Sequence, residues 1–180
     1  MLTKQDIEKY QMRVLKISKK NRLFPNENWQ MFIVQKICDL LQAHEKGNWV
    51  QTLYVQEKFN SMKKEKRDFN LTFSYYVKDS VQDIFAHIFI ILIEIYNQYN
   101  LPIAQLSLDE NREVKEILAF PEYCQFLILQ IINKKNIQTN ISDTINALLN
   151  ICNLLKIDVL KFIEYRLEYH ENNINKKILV

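Results

Sequence analysis

A single glycine, Gly47, occurs in this chain of 180 residues, and that scarcity constrains the fold more than any other feature. Phosphate-binding loops, dinucleotide-binding turns and tight β-hairpins all need positive backbone φ angles or close backbone approach, which glycine supplies. A P-loop, a Rossmann fingerprint and a sheet of glycine-hinged hairpins are therefore excluded. Because only three prolines interrupt the helical patterns, the sequence predicts an all-α fold, a compact helical bundle.

Composition indicates one globular domain spanning residues 1–180. Hydrophobic residues make up 48% of the chain and include 10 Phe and 9 Tyr, which is enough for a substantial core. The formal charge of +3 is too small to be a signature of nucleic-acid binding, so nucleic acid is not an expected partner.

The same sequence predicts a cytoplasmic protein with no membrane partner. Residues 1–24 include Asp6 and Glu8 and lack the apolar core of a secretory signal. The longest apolar stretch, residues 84–93, is much shorter than the roughly 20 residues that span a bilayer. Three widely spaced cysteines within apolar patterns are typical of core thiols in a reducing compartment.

Apolar residues at helical spacing predict a series of helices along the chain. Thr3 and Asp6 form a capping box at the first, and Gly47 suits the end of the second. The aromatic stretch 69–76, after the charged run 63–68, is a candidate mobile loop, and residues 137–140 are a predicted turn. The predicted helices cover about residues 3–19, 27–46, 50–66, 80–97, 107–118, 121–134, 141–155 and 158–171.

Three segments carry a family pattern in a fixed order. They read IVQKICDLLQAHEKG over residues 33–47, VKDSVQDIFAHIFIILIE over 77–94 and KIDVLKFIEYRLEYH over 156–170. These segments resemble, in turn, the E-x-x-E-x-x-E-A helix, the K-D-T-x-x-D-E-L-A-D helix and the closing segment of MazG-like nucleoside triphosphate pyrophosphohydrolases. The resemblance implies the all-α fold of that superfamily, which includes the dimeric dUTPases, with residues 27–46 and 80–97 as the two helices of the metal site.

The resemblance also implies where a metal site would lie. In the superfamily, four carboxylates on two facing helices hold Mg²⁺ against a triphosphate and position a water molecule. The first pair falls on Lys36 and Asp39 and the second on Ile84 and His87. An ammonium group and an alkyl chain do not coordinate magnesium, and imidazole is a poor ligand for it. We therefore expect no cofactor and assign no catalytic residue, and Asp39 is the one candidate metal ligand at these positions.

The replaced positions predict a different kind of site. The Lys and Asn of the family's closing segment fall on Arg166 and His170. Together with Lys36 and His87, these side chains predict a phosphate- or nucleotide-binding site that needs no cation. The alternative is that Lys36 and His87 merely extend to solvent from a site no longer in use.

Association is a further expectation. Many members of the superfamily complete their core with a second subunit, and the helix over residues 80–97 is apolar nearly all round, so that it needs covering on every side. We therefore predict a homodimer or incorporation into a larger protein complex.

Three functional hypotheses follow. The first is a pseudoenzyme, a non-catalytic binding or structural module on a MazG-like scaffold that retains nucleotide or phosphate binding. The second is an active, Mg²⁺-dependent enzyme that converts a nucleoside triphosphate to the monophosphate and pyrophosphate, with carboxylates such as Asp83, Glu94 or Asp143 in a rearranged site. The third is an unrelated helical adaptor.

Overall fold

The computed structural model describes residues 3–20, 28–101, 119–132 and 136–178, and within them it contains eight α-helices and no strand. The all-α prediction is confirmed. The predicted helix at 107–118 lies outside the described residues. The helices are α1 (Lys4–Ser18), α2 (Trp29–Glu45), α3 (Thr52–Glu65), α4 (Phe69–Tyr76), α5 (Val81–Gln98), α6 (Phe120–Ile132), α7 (Ile137–Leu154) and α8 (Val159–Ile178).

Helix α5 is the centre of the bundle. Every residue from Val81 to Tyr96 is buried except His87, which is half-buried. Helices α1, α2, α7 and α8 all pack on α5. Its apolar surface is thus covered within one chain, so that covering it does not require a second subunit.

Side-chain caps mark the start of several helices, and a glycine with positive φ follows the end of α2. Thr3 and Asp6 form the predicted capping box at α1, and the Ser80 hydroxyl accepts a hydrogen bond from the backbone N–H of Asp83 at the start of α5. Gly47 has a φ of +67° immediately after α2, as a helix-stopping glycine should.

The aromatic stretch 69–76 is a helix, so the prediction of a mobile loop is wrong. The Asp68 carboxylate accepts hydrogen bonds from the backbone N–H groups of Asn70 and Leu71 and caps α4. Phe69 lies 4.9 Å from the Phe59 ring of α3, and Phe73 is fully buried. Burial of these rings against neighbouring helices stabilises the segment as a helix. The charged run at residues 63–68, which precedes it, had favoured a loop.

Two helix boundaries in the C-terminal half also differ from the sequence prediction. Helix α7 begins at Ile137, because the Asn136 side chain accepts from the N–H of Thr139, so the predicted turn at 137–140 is wrong. Helix α8 extends to Ile178, beyond the predicted end near residue 171. The predicted helix at 121–134 corresponds to α6, with Pro121 in its first turn. Among the described residues, no helix combines the length and apolarity needed to cross a membrane.

Candidate ligand-binding site

A pocket of about 340 Å³ opens where α2 and α8 meet the first turns of α5. Both flanking helices pack on α5, which places residues from three helices around one space. The lining is more polar than apolar and combines cationic, anionic and neutral side chains: Lys36, Asp39, Gln42, Ala43, Lys46, Asn48, Asp79, Asp83, Ile84, His87 and Arg166.

The connection after α2 is fastened to the start of α5 and shapes one side of this pocket. The Asn48 side-chain amide donates to the carbonyl of Asp79 at 2.6 Å, and the N–H of Val81 donates to the carbonyl of Asn48 at 2.9 Å. Gln82 exchanges two hydrogen bonds with the backbone of Val50. The relative placement of α2 and α5 is therefore fixed by hydrogen bonds as well as by packing.

Arg166 of α8 is the hub of the polar network at this pocket. Its Nη1 donates to Asp83 Oδ2 at 2.9 Å, its Nη2 to His87 Nδ1 at 3.1 Å and its Nε to His170 Nε2 at 3.2 Å. The guanidinium also lies 5.8 Å from the centre of the Phe73 ring. Three of its five N–H groups are thus used, and the side chain is held in one position.

Both histidines act as neutral acceptors here. A guanidinium only donates hydrogen bonds, so the ring nitrogens that face Arg166 must be unprotonated. Burial, followed by the nearby positive charge of Arg166, lowers the pKa of His170 to about 3 and holds the pKa of His87 well below its ordinary value. Neither histidine carries a charge near neutral pH, so the positive charge in this part of the pocket comes from Arg166.

Asp83 is the deepest ionisable group of the pocket. Its carboxyl is 1% exposed, and Oδ2 accepts from both Arg166 and the N–H of Asp79. The other oxygen, Oδ1, is buried without a hydrogen-bond partner in the described part of the chain. Burial raises the pKa of this carboxyl above its ordinary value, although Arg166 opposes the shift.

The α2 wall carries the ion pair between Lys36 and Asp39. The Lys36 Nζ lies 2.7 Å from Asp39 Oδ2, and both side chains are partly exposed. Asp39 also accepts from the Gln35 side chain at 3.2 Å. The lining holds three cationic side chains, Lys36, Lys46 and Arg166. It also holds three acidic ones, Asp39, Asp79 and Asp83.

The structure brings together most of the residues that the sequence predicted for a site. Lys36, Asp39, Ile84, His87 and Arg166 all line the pocket. His170 is held next to it through Arg166, with its ring 6.0 Å from that of His87. The predicted roles of these residues in binding a ligand or a metal stay predictions.

Sequence reasoning missed Lys46 and gave Asp83 only a secondary place. The family pattern assigns the second metal pair to Ile84 and His87, so Asp83 entered only as a carboxylate of the rearranged site in the enzyme hypothesis. In fact the first turn of α5 is buried all round, Gln82 and Asp83 included. The signal available was the pattern over residues 77–94, in which the family's K-D-T-x-x-D places an aspartate at Asp83.

No family model matches this sequence, and neither a curated protein nor a solved structure matches it. Nothing in these comparisons identifies the MazG-like family. The resemblance stays a prediction, and the interpretation of the pocket depends on its own geometry.

Proposed function

We propose that the protein is a non-catalytic binding module whose pocket between α2, α5 and α8 holds a small phosphate-bearing ligand, such as a nucleotide. The observation that carries this proposal is the convergence of Lys36, Lys46 and Arg166 on one polar pocket. Ammonium and guanidinium groups are the side chains that bind phosphate oxygens most strongly. The volume of about 340 Å³ falls within the range of small-molecule sites.

The carboxylates of the pocket support binding over metal-dependent turnover. Magnesium requires several oxygen ligands in octahedral geometry. Asp39 is paired with Lys36, and Asp83 is paired with Arg166. Within residues 3–20, 28–101, 119–132 and 136–178, no three acidic, histidine or cysteine side chains are grouped as a metal site. The donor set therefore does not suit the ion on which the enzyme hypothesis depends.

The adaptor hypothesis has less support than the binding module. A fold in which α2 and α5 did not face each other would favour an adaptor, but these helices pack together and share the pocket. An adaptor also gives no reason for three cationic side chains around one cavity.

Calorimetric titration tests the binding proposal. The probes are inorganic pyrophosphate and a panel of nucleoside triphosphates, and the proteins are the full chain, Lys36→Met and Lys64→Met. Methionine keeps much of the lysine stem and removes the charge. Because Lys64 is an exposed residue of α3 outside the pocket, its substitution is a matched control.

We expect Lys36→Met to weaken binding about tenfold, the value of one charge-assisted hydrogen bond of about 1.4 kcal/mol, and Lys64→Met to bind like the parent. The proposal is wrong if no probe binds at millimolar concentration. It is also wrong if the two variants bind equally well.

Self-association is a separate part of the proposal. Large apolar side chains are exposed on neighbouring helices α3 and α4, where Leu53 is 75%, Leu71 72% and Tyr75 82% accessible. Exposed apolar groups of this kind are typical of surfaces that contact a partner, and they support the predicted homodimer. Light scattering at micromolar concentration tests it, and a monodisperse monomer would contradict it.

A further inference from the structure

We infer that the phosphate-bearing ligand of the pocket also carries a positively charged amine, and that the Asp79 carboxylate binds this amine. The inference rests on the proposed function, because it names the chemical class of the ligand for the same site. That class is the phosphate ester of an amino alcohol, in which one small molecule presents both a phosphate and an ammonium group.

The balance of charge in the pocket is the first observation. Carboxylates and cationic side chains are equal in number in the lining, three of each. Two of the carboxylates, Asp39 and Asp83, are paired with Lys36 and Arg166. Because binding sites match the charge of what they bind, a lining of both signs suits a ligand of both signs better than one with negative charge alone.

Lys46 and Asp79 are the two charged groups of the lining that remain, and they are the second observation. Among the described residues, neither side chain forms an ion pair or a hydrogen bond. Both are exposed, so that a ligand in the pocket reaches them. They lie at the same end of the pocket, since Asn48, two residues after Lys46, donates to the Asp79 carbonyl at 2.6 Å. The ammonium of Lys46 is thus available to a phosphate, and the carboxylate of Asp79 to an amine on the same molecule.

The backbone of Asp79 holds this carboxylate in place. Its N–H donates to Asp83 Oδ2 at 2.9 Å, and its carbonyl accepts from Asn48. The residue has a φ of +62°, a conformation that asparagine or glycine adopts as readily as aspartate. The turn therefore does not itself require a negative charge, and it presents the carboxylate from a fixed position, which lowers the entropic cost of binding.

An organic amine suits Asp79 better than a metal ion does. Divalent ions such as Mg²⁺ need several oxygen ligands, and the other two carboxylates of the lining already have cationic partners. An ammonium group needs only one carboxylate and its hydrogen bonds to water.

The experiment compares two ligands that differ only in the amine. O-Phosphoethanolamine and n-propyl phosphate have the same phosphate and the same chain length, but one ends in an ammonium group and the other in a methyl group. Both are titrated into the full chain at neutral pH, and binding is followed by NMR. We expect phosphoethanolamine to bind about three- to tenfold more tightly, as for a partly exposed, charge-assisted hydrogen bond.

Three substitutions assign this preference to a residue. Asp79→Asn removes the charge and keeps a residue that tolerates the left-handed backbone, so we expect it to bind the two ligands equally. Lys46→Met removes a phosphate contact and should weaken both ligands by similar factors. Glu57→Gln removes an exposed carboxylate of α3 outside the pocket, and this matched control should keep the preference of the parent.

The outcomes distinguish this inference from the proposed function. Equal binding of the two ligands by the full chain would overturn the inference and leave phosphate binding in place. A preference for phosphoethanolamine that persists in Asp79→Asn would place the amine elsewhere and would also overturn it. If neither ligand nor pyrophosphate binds at millimolar concentration, both the proposed function and this inference are wrong.

Discussion

Arg166 carries more of the site's organisation than any other residue. It joins α8 to α5 through Asp83 and His87, and it holds His170 on its own helix. Its side chain is only 9% exposed, so these bonds form in a poorly solvated environment. The same residue therefore stabilises the fold and supplies the positive charge of the pocket.

Loss of Arg166 should be far more damaging than loss of a surface arginine. In Arg166→Met the Asp83 carboxylate stays buried without its partner, and we expect the free energy of unfolding to fall by about 3–5 kcal/mol. The double variant Arg166→Met, Asp83→Asn removes both charges and should recover part of that loss. Urea unfolding of the parent, Arg166→Met, Asp83→Asn and the double variant measures the coupling free energy of the pair. Equal stability of Arg166→Met and the double variant would contradict a stabilising ion pair.

The two neutral histidines predict how stability depends on pH. Their pKa values are lower in the folded chain than in the unfolded chain, so the unfolded state binds more protons once the pH falls below about 6.5. Their contribution to stability is complete above that pH and is lost on acidification, by up to roughly 1.4 kcal/mol per pH unit for each histidine.

Substitution by neutral acceptors checks this prediction. Asn in place of His87 and Gln in place of His170 each put a carbonyl oxygen close to the position of the ring nitrogen that accepts from Arg166. We expect the double variant His87→Asn, His170→Gln to lose much less stability than the parent between pH 6.5 and pH 5, as measured by urea unfolding. An unchanged slope would show that these histidines are not the groups that titrate.

At the level of single residues, the sequence predicted much of what lines the pocket. Lys36, His87 and Arg166 followed from the positions of a family pattern, and all three line one cavity. The bonds among them did not follow, because the roles of His87 and His170 as acceptors depend on burial that no spacing reveals. Asp83 was underrated for a related reason, since a fully buried helix has no polar face on which to place it.

At the scale of elements, the scarcity of glycine shows in the backbone conformation of the helix ends. Helix ends commonly use a residue with positive φ, and here Lys66, Asp79, Asn100 and Lys156 adopt such angles alongside Gly47. For lysine this conformation costs about 1 kcal/mol relative to glycine. The chain therefore stores strain at turns that a glycine-richer sequence would relieve.

Lys66→Gly should accordingly stabilise the protein. Lys66 ends α3 with a φ of +53°, and its side chain is exposed, so little besides the backbone changes. We expect a gain of about 1 kcal/mol in the free energy of unfolding. Lys63→Gly, within the same helix, should cost about 1 kcal/mol. A loss of stability in both variants would contradict the explanation from backbone strain.

The helices themselves were largely predictable, and the errors have physical causes. The capping box at Thr3 and Asp6 and the stop at Gly47 are local signals, and both are present. Helix α4 depends on docking of its Phe69 and Phe73 rings, which is a tertiary effect. Helix α7 begins early because Asn136 caps it, and a single asparagine is a weak signal in a chain rich in that residue.

At the scale of the whole molecule, α5 is surrounded by helices of its own chain, and the pocket lies beside its first turns. The packing of the helices does not depend on the metal site that the sequence pattern implied. The bundle places the two pattern helices side by side, while Asp39 and Asp83 on them are paired with Lys36 and Arg166. The helix packing of this chain therefore does not by itself imply a metal-dependent reaction.

Divalent cations should leave the stability of the protein unchanged. A magnesium enzyme gains stability from its metal by mass action, whereas a pocket in which Asp39 and Asp83 are already paired with cationic side chains offers no comparable site. We expect millimolar Mg²⁺ or Mn²⁺ to produce no shift in the thermal unfolding midpoint beyond that of matched ionic strength with NaCl. A specific upward shift that Asp39→Ala abolishes would favour the enzyme hypothesis.

The most direct test of binding without turnover is a ³¹P NMR spectrum of a nucleoside triphosphate mixed with a stoichiometric amount of the full chain and Mg²⁺. The pocket predicts that the triphosphate resonances broaden or shift, that Lys36→Met reduces this effect, and that no new phosphorus signals develop. Resonances of pyrophosphate and nucleoside monophosphate would show turnover. Triphosphate resonances that remain sharp and unshifted would contradict binding.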